Sequence, residues 1–187
     1  IMGTYPDRHN RTGMLALYNN DCVSLDGSYA HAYLSELQRH IAFDAYGSCL
    51  KNAGGVNVRD AAAVIESMRG YRAVLVWEGT RAEGYVTEQL YWAWLAGAVP
   101  IYMGAPRYVG PGLRHPAYID ASDYPNPADL AARIKQFLAD DGEWVRYQQW
   151  RLDDLNPDFN LEHSALRQDA NSLPCHLARW YMEHVGN

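Results

Sequence analysis

Residues 74–90 read V-L-V-W-E-G-T-R-A-E-G-Y-V-T-E-Q-L, and no other stretch narrows the possible fold as far. The apolar run ending at Trp77 suits a strand covered on both faces. A tight loop with Gly79 and Gly84 follows, and then a helix that opens near Thr87 and Glu88. A strand, a Gly-bearing loop and a helix N-terminus together offer unpaired backbone N–H groups and a positive dipole end to a phosphate. Residues 95–106, L-A-G-A-V-P-I-Y-M-G-A-P, continue the pattern with a helix stop, a second buried strand and another Gly/Pro loop.

The rest of the chain has the same alternation. Strands are expected at 14–18, 42–46, 71–77, 99–103 and 117–119, with helices near 29–41, 60–68, 86–96, 127–139 and 141–153. Asp60 stands where it would cap the second helix. Strands alternating with helices imply a parallel sheet with right-handed crossovers, hence a single Rossmann-like α/β domain over 1–155 with helices on both faces. A helical tail, 156–187, follows it. In such a sheet, ligands meet the carboxyl ends of the strands, which directs attention to 19–30, 47–55, 78–88 and 104–110.

Composition removes several functions. At 187 residues and 48% hydrophobic, the chain can bury one core without disulfides or metals. A net charge of −6 argues against a nucleic-acid backbone as partner. No apolar stretch approaches the roughly 20 residues of a membrane span. The N-terminal residues lack a signal-peptide pattern, and a start at Ile1 suggests a processed chain or a fragment. No G-x-S-x-G elbow is present, no D-x-D motif follows a strand, and His163, His176 and His184 share no ligand-like spacing, so no metal is expected. Trp92, Trp94 and Trp144 exceed what one small core should hold, so an exposed aromatic interface is expected.

The E-G-T, Y-V-T-E-Q and A-G-A-V-P-I-Y-M-G-A-P segments resemble the α1,3-fucosyltransferase family, whose hallmark is close to F-E-N, Y-V-T-E-K and A-G-x-V-P-V-x-x-G-A-P. Further segments are similar to that family: F-D-A-Y-G-S-C at 43–49, Y-I-D-A-S-D-Y at 118–124, P-A-D-L-A at 127–131, and the pair Tyr147 and Trp150. Together they cover roughly 13–155 in order and spacing. These D-x-Y-G-x-C and F-I-D-x-x-D-F-like segments favour this family over an exostosin-like glycosyltransferase, which shares only the helix–strand pattern.

The resemblance implies a GDP-fucose donor, an inverting transfer to a glycan hydroxyl, no metal cofactor, and the nucleotide-sugar-binding half of a two-domain enzyme. The other half, an N-terminal acceptor domain supplying the catalytic base, has no room here, so no catalytic residue is expected in this chain. The donor-binding positions implied are Tyr85, Thr87, Glu88, Glu78 and Gln89. Each has a plainer role beside it: Tyr85 as a buried loop aromatic, Thr87 as a helix cap, Glu88 as a carboxylate favoured at a helix start, and Glu78 as a loop support. Family cysteines at the positions of Cys22 and Cys49 imply a disulfide between them and an oxidising compartment, the Golgi or secretory lumen, with an organellar assembly as the alternative. Cys175 lacks the second cysteine of the family's C-x-x-C and reads as a free thiol.

Three family positions are altered. The Lys after Y-V-T-E is Gln89, the donor-binding Arg falls on Ala30, and the Asn of F-E-N is Gly79. No Arg or Lys lies between Arg11 and Arg39 to restore the second of these, which leaves His31 or Arg81 as replacements by position. A diphosphate held without Arg or Lys rests on helix dipoles and backbone. Two readings follow: a donor-binding domain that lacks activity on its own, or a non-catalytic scaffold or accessory subunit completed by protein partners.

Overall fold

The computed structural model describes residues 11–20, 30–106 and 116–152. Five strands, β1 (Gly13–Tyr18), β2 (Asp44–Tyr46), β3 (Tyr71–Trp77), β4 (Val99–Met103) and β5 (Ile119–Asp120), form one sheet in the order β2-β1-β3-β4-β5. Every pairing is parallel, from Ala16 opposite Asp44 at one edge to Ile101 opposite Ile119 at the other. All seven residues of β3 are buried, which follows from its place at the centre of a sheet covered on both sides.

The helices are α1 (Ala30–His40), α2 (Ala61–Met68), α3 (Glu88–Ala96), α4 (Pro127–Ala139) and α5 (Asp141–Arg146). Side chains alternate across the strands and split the core in two. Leu15, Leu17, Ala73 and Leu75 face α1 and α4 through Leu34, Leu37, Ile134 and Phe137. Ala16, Val74 and Val76 face α2 and α3 through Val64, Met68, Leu90 and Trp94. The expected α/β sheet with helices on both faces is therefore present.

Boundaries differ from the expected ones where caps decide them. Asp60 accepts hydrogen bonds from the Ala62 and Ala63 N–H groups and starts α2 as expected. The third helix opens at Glu88 rather than Val86 because Thr87 is extended. Its other end closes on Gly97 at φ 74°, with the Ala98 N–H returning to the Ala93 carbonyl. The expected last helix is broken into α5 and a 3₁₀ turn, Gln149–Leu152, because Gln148 and Arg151 are committed to α3. The strand expected at 117–119 sits at 119–120, and β2 is three residues long. Trp94 and Trp144 are fully buried and Trp92 is half-buried, so they form no exposed aromatic face; among the described residues Tyr85 is the one exposed aromatic. The tail, with its three histidines and Cys175, lies outside the described residues from 153 onward.

Candidate functional site

The strand order reverses direction between β1 and β3. The chain leaves β1 toward β2 and leaves β3 toward β4, which opens a crevice at the carboxyl ends of β1 and β3. The helices that follow strands, α1 to α4, start at that same edge, so α1 comes to the crevice from one face of the sheet and α3 from the other. Tyr33 on the first turn of α1 packs at a tilt against Trp77 at the end of β3, with ring centroids 5.2 Å apart, and its hydroxyl donates to the Tyr124 carbonyl. These contacts fix the start of α1 against the end of β3 on one face of the sheet.

Glu78 organises the β3–α3 loop. It is buried, and its Oε1 accepts the Thr87 N–H at 2.9 Å, reaching across the loop to the start of α3. Its own N–H donates to the Met103 carbonyl at the end of β4. Burial raises the Glu78 carboxyl above the usual range; the Thr87 N–H and hydroxyl pull it back, and Glu88 raises it further. Gly104 is obligatory beside it, since a Cβ there would sit 2.4 Å from Glu78 Cγ and 2.3 Å from the Tyr102 hydroxyl. That hydroxyl accepts the Ala105 N–H, which sets the course of the second loop.

The remaining candidates differ in placement. Thr87 is the N-cap residue of α3 by conformation, but its side chain makes no cap hydrogen bond and turns to Glu78 instead. Glu88 and Gln89 are the first two helical residues and half-buried, so Glu88 stands at the helix start, where a carboxylate is favoured. Among the described residues their N–H groups have no hydrogen-bond partner. Tyr85 is 37% exposed, beyond a turn at Gly84 (φ 74°), and so is not the buried loop aromatic that its plainer role required. Ala30, where the resemblance leads one to expect an Arg, is the first residue of α1 and packs into the core, while its neighbour His31 is exposed. Arg81 is exposed within the β3–α3 loop.

Cys49 is buried and disulfide-bonded. Its expected partner, Cys22, lies outside the described residues, as do 107–110 of the last loop. Among the described residues no group of three or more His, Cys, Asp or Glu side chains could hold a metal ion. The window 47–55 holds Lys51 without singling it out, and Arg59 falls beyond it; the two line a cleft of about 420 Å³ with Gly54 and Gly55 between β2 and α2. The spacing K-x-x-G-G-x-x-x-R is the signal that could have found them.

A parallel sheet of order 2-1-3-4-5 with a shaped loop and two helix starts at its switch point defines a Rossmann-like α/β domain. The model of glycosyltransferase family 10 (fucosyltransferase), C-terminal part, matches residues 9–184, and the chain belongs to that family. GDP-fucose protein O-fucosyltransferase 3 of Xenopus laevis is 31% identical over 148 residues, which are 76% of this chain and 31% of that protein. Its Homo sapiens counterpart is 28% identical over 148 residues, covering 76% and 30% respectively. The chain thus spans about a third of the length of these relatives. A crystal structure of an α1,3-fucosyltransferase with GDP-fucose superposes with a TM-score of 0.60 at 21% identity, over 73% of this chain and 38% of that one. At that identity the likeness shows the fold.

Proposed function

We propose that this chain is the donor-binding half of a fucosyltransferase, taking GDP-fucose at the β1/β3 crevice for an inverting transfer to an acceptor hydroxyl. One observation carries the reading. Glu78 holds the loop so that the open N–H groups of Glu88 and Gln89 stand at the switch point, where a diphosphate is favoured by backbone donors and helix dipole. Tyr85 is exposed beside that helix start and is free to lie against the nucleoside. The family's sequence resemblance implies a glycan hydroxyl as acceptor; the name borne by the relatives favours a hydroxyl carried on protein.

In the two-domain plan that the resemblance implies, the carboxylate base comes from an acceptor domain, so these residues supply donor binding and not the base. Donor binding is also weakened. Charge-assisted hydrogen bonds contribute roughly 1.5–3 kcal/mol each. With Ala30 and Gln89 at the two cationic positions, the loss is about 3–6 kcal/mol, or two to four decades of affinity. A disulfide between Cys22 and Cys49 beside the crevice suits an oxidising lumen and is supported by the bonded state of Cys49. Calorimetric titration with GDP-fucose tests the reading: a dissociation constant near millimolar is expected. A micromolar constant would show that another cation serves the diphosphate. Absence of binding even with Gln89→Lys would favour the non-catalytic scaffold.

A further inference from the structure

On the β2 side of the crevice, the segment joining β2 to α2 forms one wall of the 420 Å³ cleft, and Asn20, Gly47 and Ser48 close it from the ends of β1 and β2. The size lies within the range of small-ligand pockets. Among its lining residues Lys51 and Arg59 are cationic and none is acidic, although the chain carries a net charge of −6. Neither cation makes an ion pair or side-chain hydrogen bond among the described residues, whereas Arg39, Arg69, Arg72, Arg133 and Arg146 each pair with a carboxylate.

Between the two cations, the N–H groups of Gly54, Gly55 and Val56 likewise have no partner among the described residues. Consecutive N–H groups around a residue with positive φ, here Gly55 at 86°, form concave receptors for anions. The wall is held in place at both ends. Asn52 donates to the Phe43 carbonyl at 2.9 Å and accepts the Ala45 N–H at 2.7 Å, extending the edge of β2. Asn57 accepts the N–H of Arg59 through its side chain and that of Asp60 through its carbonyl. The floor is equally constrained: Gly47, φ 92°, lies so close to the Asn19 carbonyl that a Cβ would come within 2.3 Å of it. The Ser48 hydroxyl donates to the Asn20 carbonyl.

We infer that this cleft is a second binding site, a receptor for a phosphate or sulfate oxyanion, held by the Lys51 and Arg59 side chains and the open N–H groups of residues 54–56. Two cations and three backbone donors, none of them partnered among the described residues, line one cleft and suit a group with several acceptor oxygens. The oxyanion belongs either to a nucleotide or to a sulfated glycan, and the inference stands whether or not GDP-fucose occupies the β1/β3 crevice.

The test follows the glycine amides of the 187-residue chain by NMR during titration with pyrophosphate, with sodium chloride at matched ionic strength as the reference. Gly54 and Gly55 should shift saturably with pyrophosphate beyond the chloride reference. Lys51→Gln with Arg59→Gln, both at exposed positions, should weaken the response by about tenfold or more. No saturable shift, or an unchanged affinity in the double variant, overturns the proposal. GDP and a sulfated disaccharide then distinguish the source. Stronger shifts of the same two amides by GDP identify a nucleotide phosphate, and stronger shifts by the disaccharide identify an acidic glycan.

Discussion

The two ends of α3 are built on opposite plans. At its C-terminus, Arg11 donates to the carbonyls of Tyr71 and Ala96 at 2.7 Å each, Arg151 donates to the Trp94 carbonyl, and Gln148 donates to the Gly97 carbonyl at 3.1 Å. Both arginines are buried, and Arg151 also stacks over Trp150 at 4.5 Å. Cations at a helix C-terminus satisfy orphan carbonyls and oppose the negative dipole end. At the N-terminus, the Glu78 carboxylate engages Thr87, and among the described residues the N–H groups of Glu88 and Gln89 stay open. The closed end carries stability, and the open end keeps unsatisfied donors at the strand ends where a ligand can meet them. A helix saturated at both ends would be more stable and would present nothing to a phosphate.

That contrast is broken most sharply at the closed end. Arg11→Ala removes two charge-assisted hydrogen bonds and leaves the Tyr71 and Ala96 carbonyls buried without that partner, so it should cost about 3–6 kcal/mol in chemical denaturation. An effect below roughly 1 kcal/mol, the scale of a surface ion pair, would show that these carbonyls find other donors. Arg151→Ala should behave alike. Burial, with Arg11 nearby, draws its guanidinium down to about 10, so part of its contribution is offset by desolvation and its loss should be the smaller of the two.

At the open end, Glu78→Ala should cost about 1–3 kcal/mol, since the half-buried Thr87 N–H loses its acceptor. Glu78→Gln separates charge from shape. The folded carboxyl is held above its unfolded value, so the unfolded state releases its proton first as pH rises from about 4.5. The Glu78 contribution to stability is therefore present below that pH and declines as pH climbs through the raised value. Denaturant midpoints measured against pH should show a decline attributable to this group, and the Gln variant should lack it. An identical profile in both chains would mean that Thr87 hydrogen bonding cancels the burial effect.

Smaller changes sharpen the ligand side. Gln89→Lys should leave stability within about 0.5 kcal/mol. It should strengthen GDP-fucose binding by roughly ten- to a hundredfold, the worth of one charge-assisted contact. Recovery stops there because Ala30, the second position, is packed into the core and cannot be turned into an arginine without burying its charge. Tyr85→Ala should be the mildest for the fold, with no measurable change in denaturation and any effect confined to nucleotide affinity. A stability loss above roughly 1 kcal/mol would show that the exposed ring supports the loop.

Much of the fold is legible in the order of residues along the chain. Apolar runs bounded by Gly and Pro place β1, β3 and β4 to within a residue, because strands buried on both faces carry an uninterrupted signal. Asp60 and Pro127 mark helix starts for local reasons that need no tertiary context. Periodicity misplaces the α3 start by two residues, since a side chain nine positions upstream, Glu78, takes both Thr87 donors and keeps it extended. The exposed aromatic face fails because Trp94 and Trp144 enter different halves of the core, one on each side of the sheet.

Sequence alone determined the alternation of elements and the family, both carried by neighbouring residues along the chain, and the family resemblance sets Ala30 and Gln89 where cations are expected. Only tertiary structure decided that Ala30 is a core residue, that Arg11 and Arg151 belong to the far end of α3, and that Lys51 and Arg59 face one cleft. Those are contacts between residues up to 85 positions apart. Local periodicity reports which face a residue takes, whereas the partner it meets there depends on how the sheet is ordered.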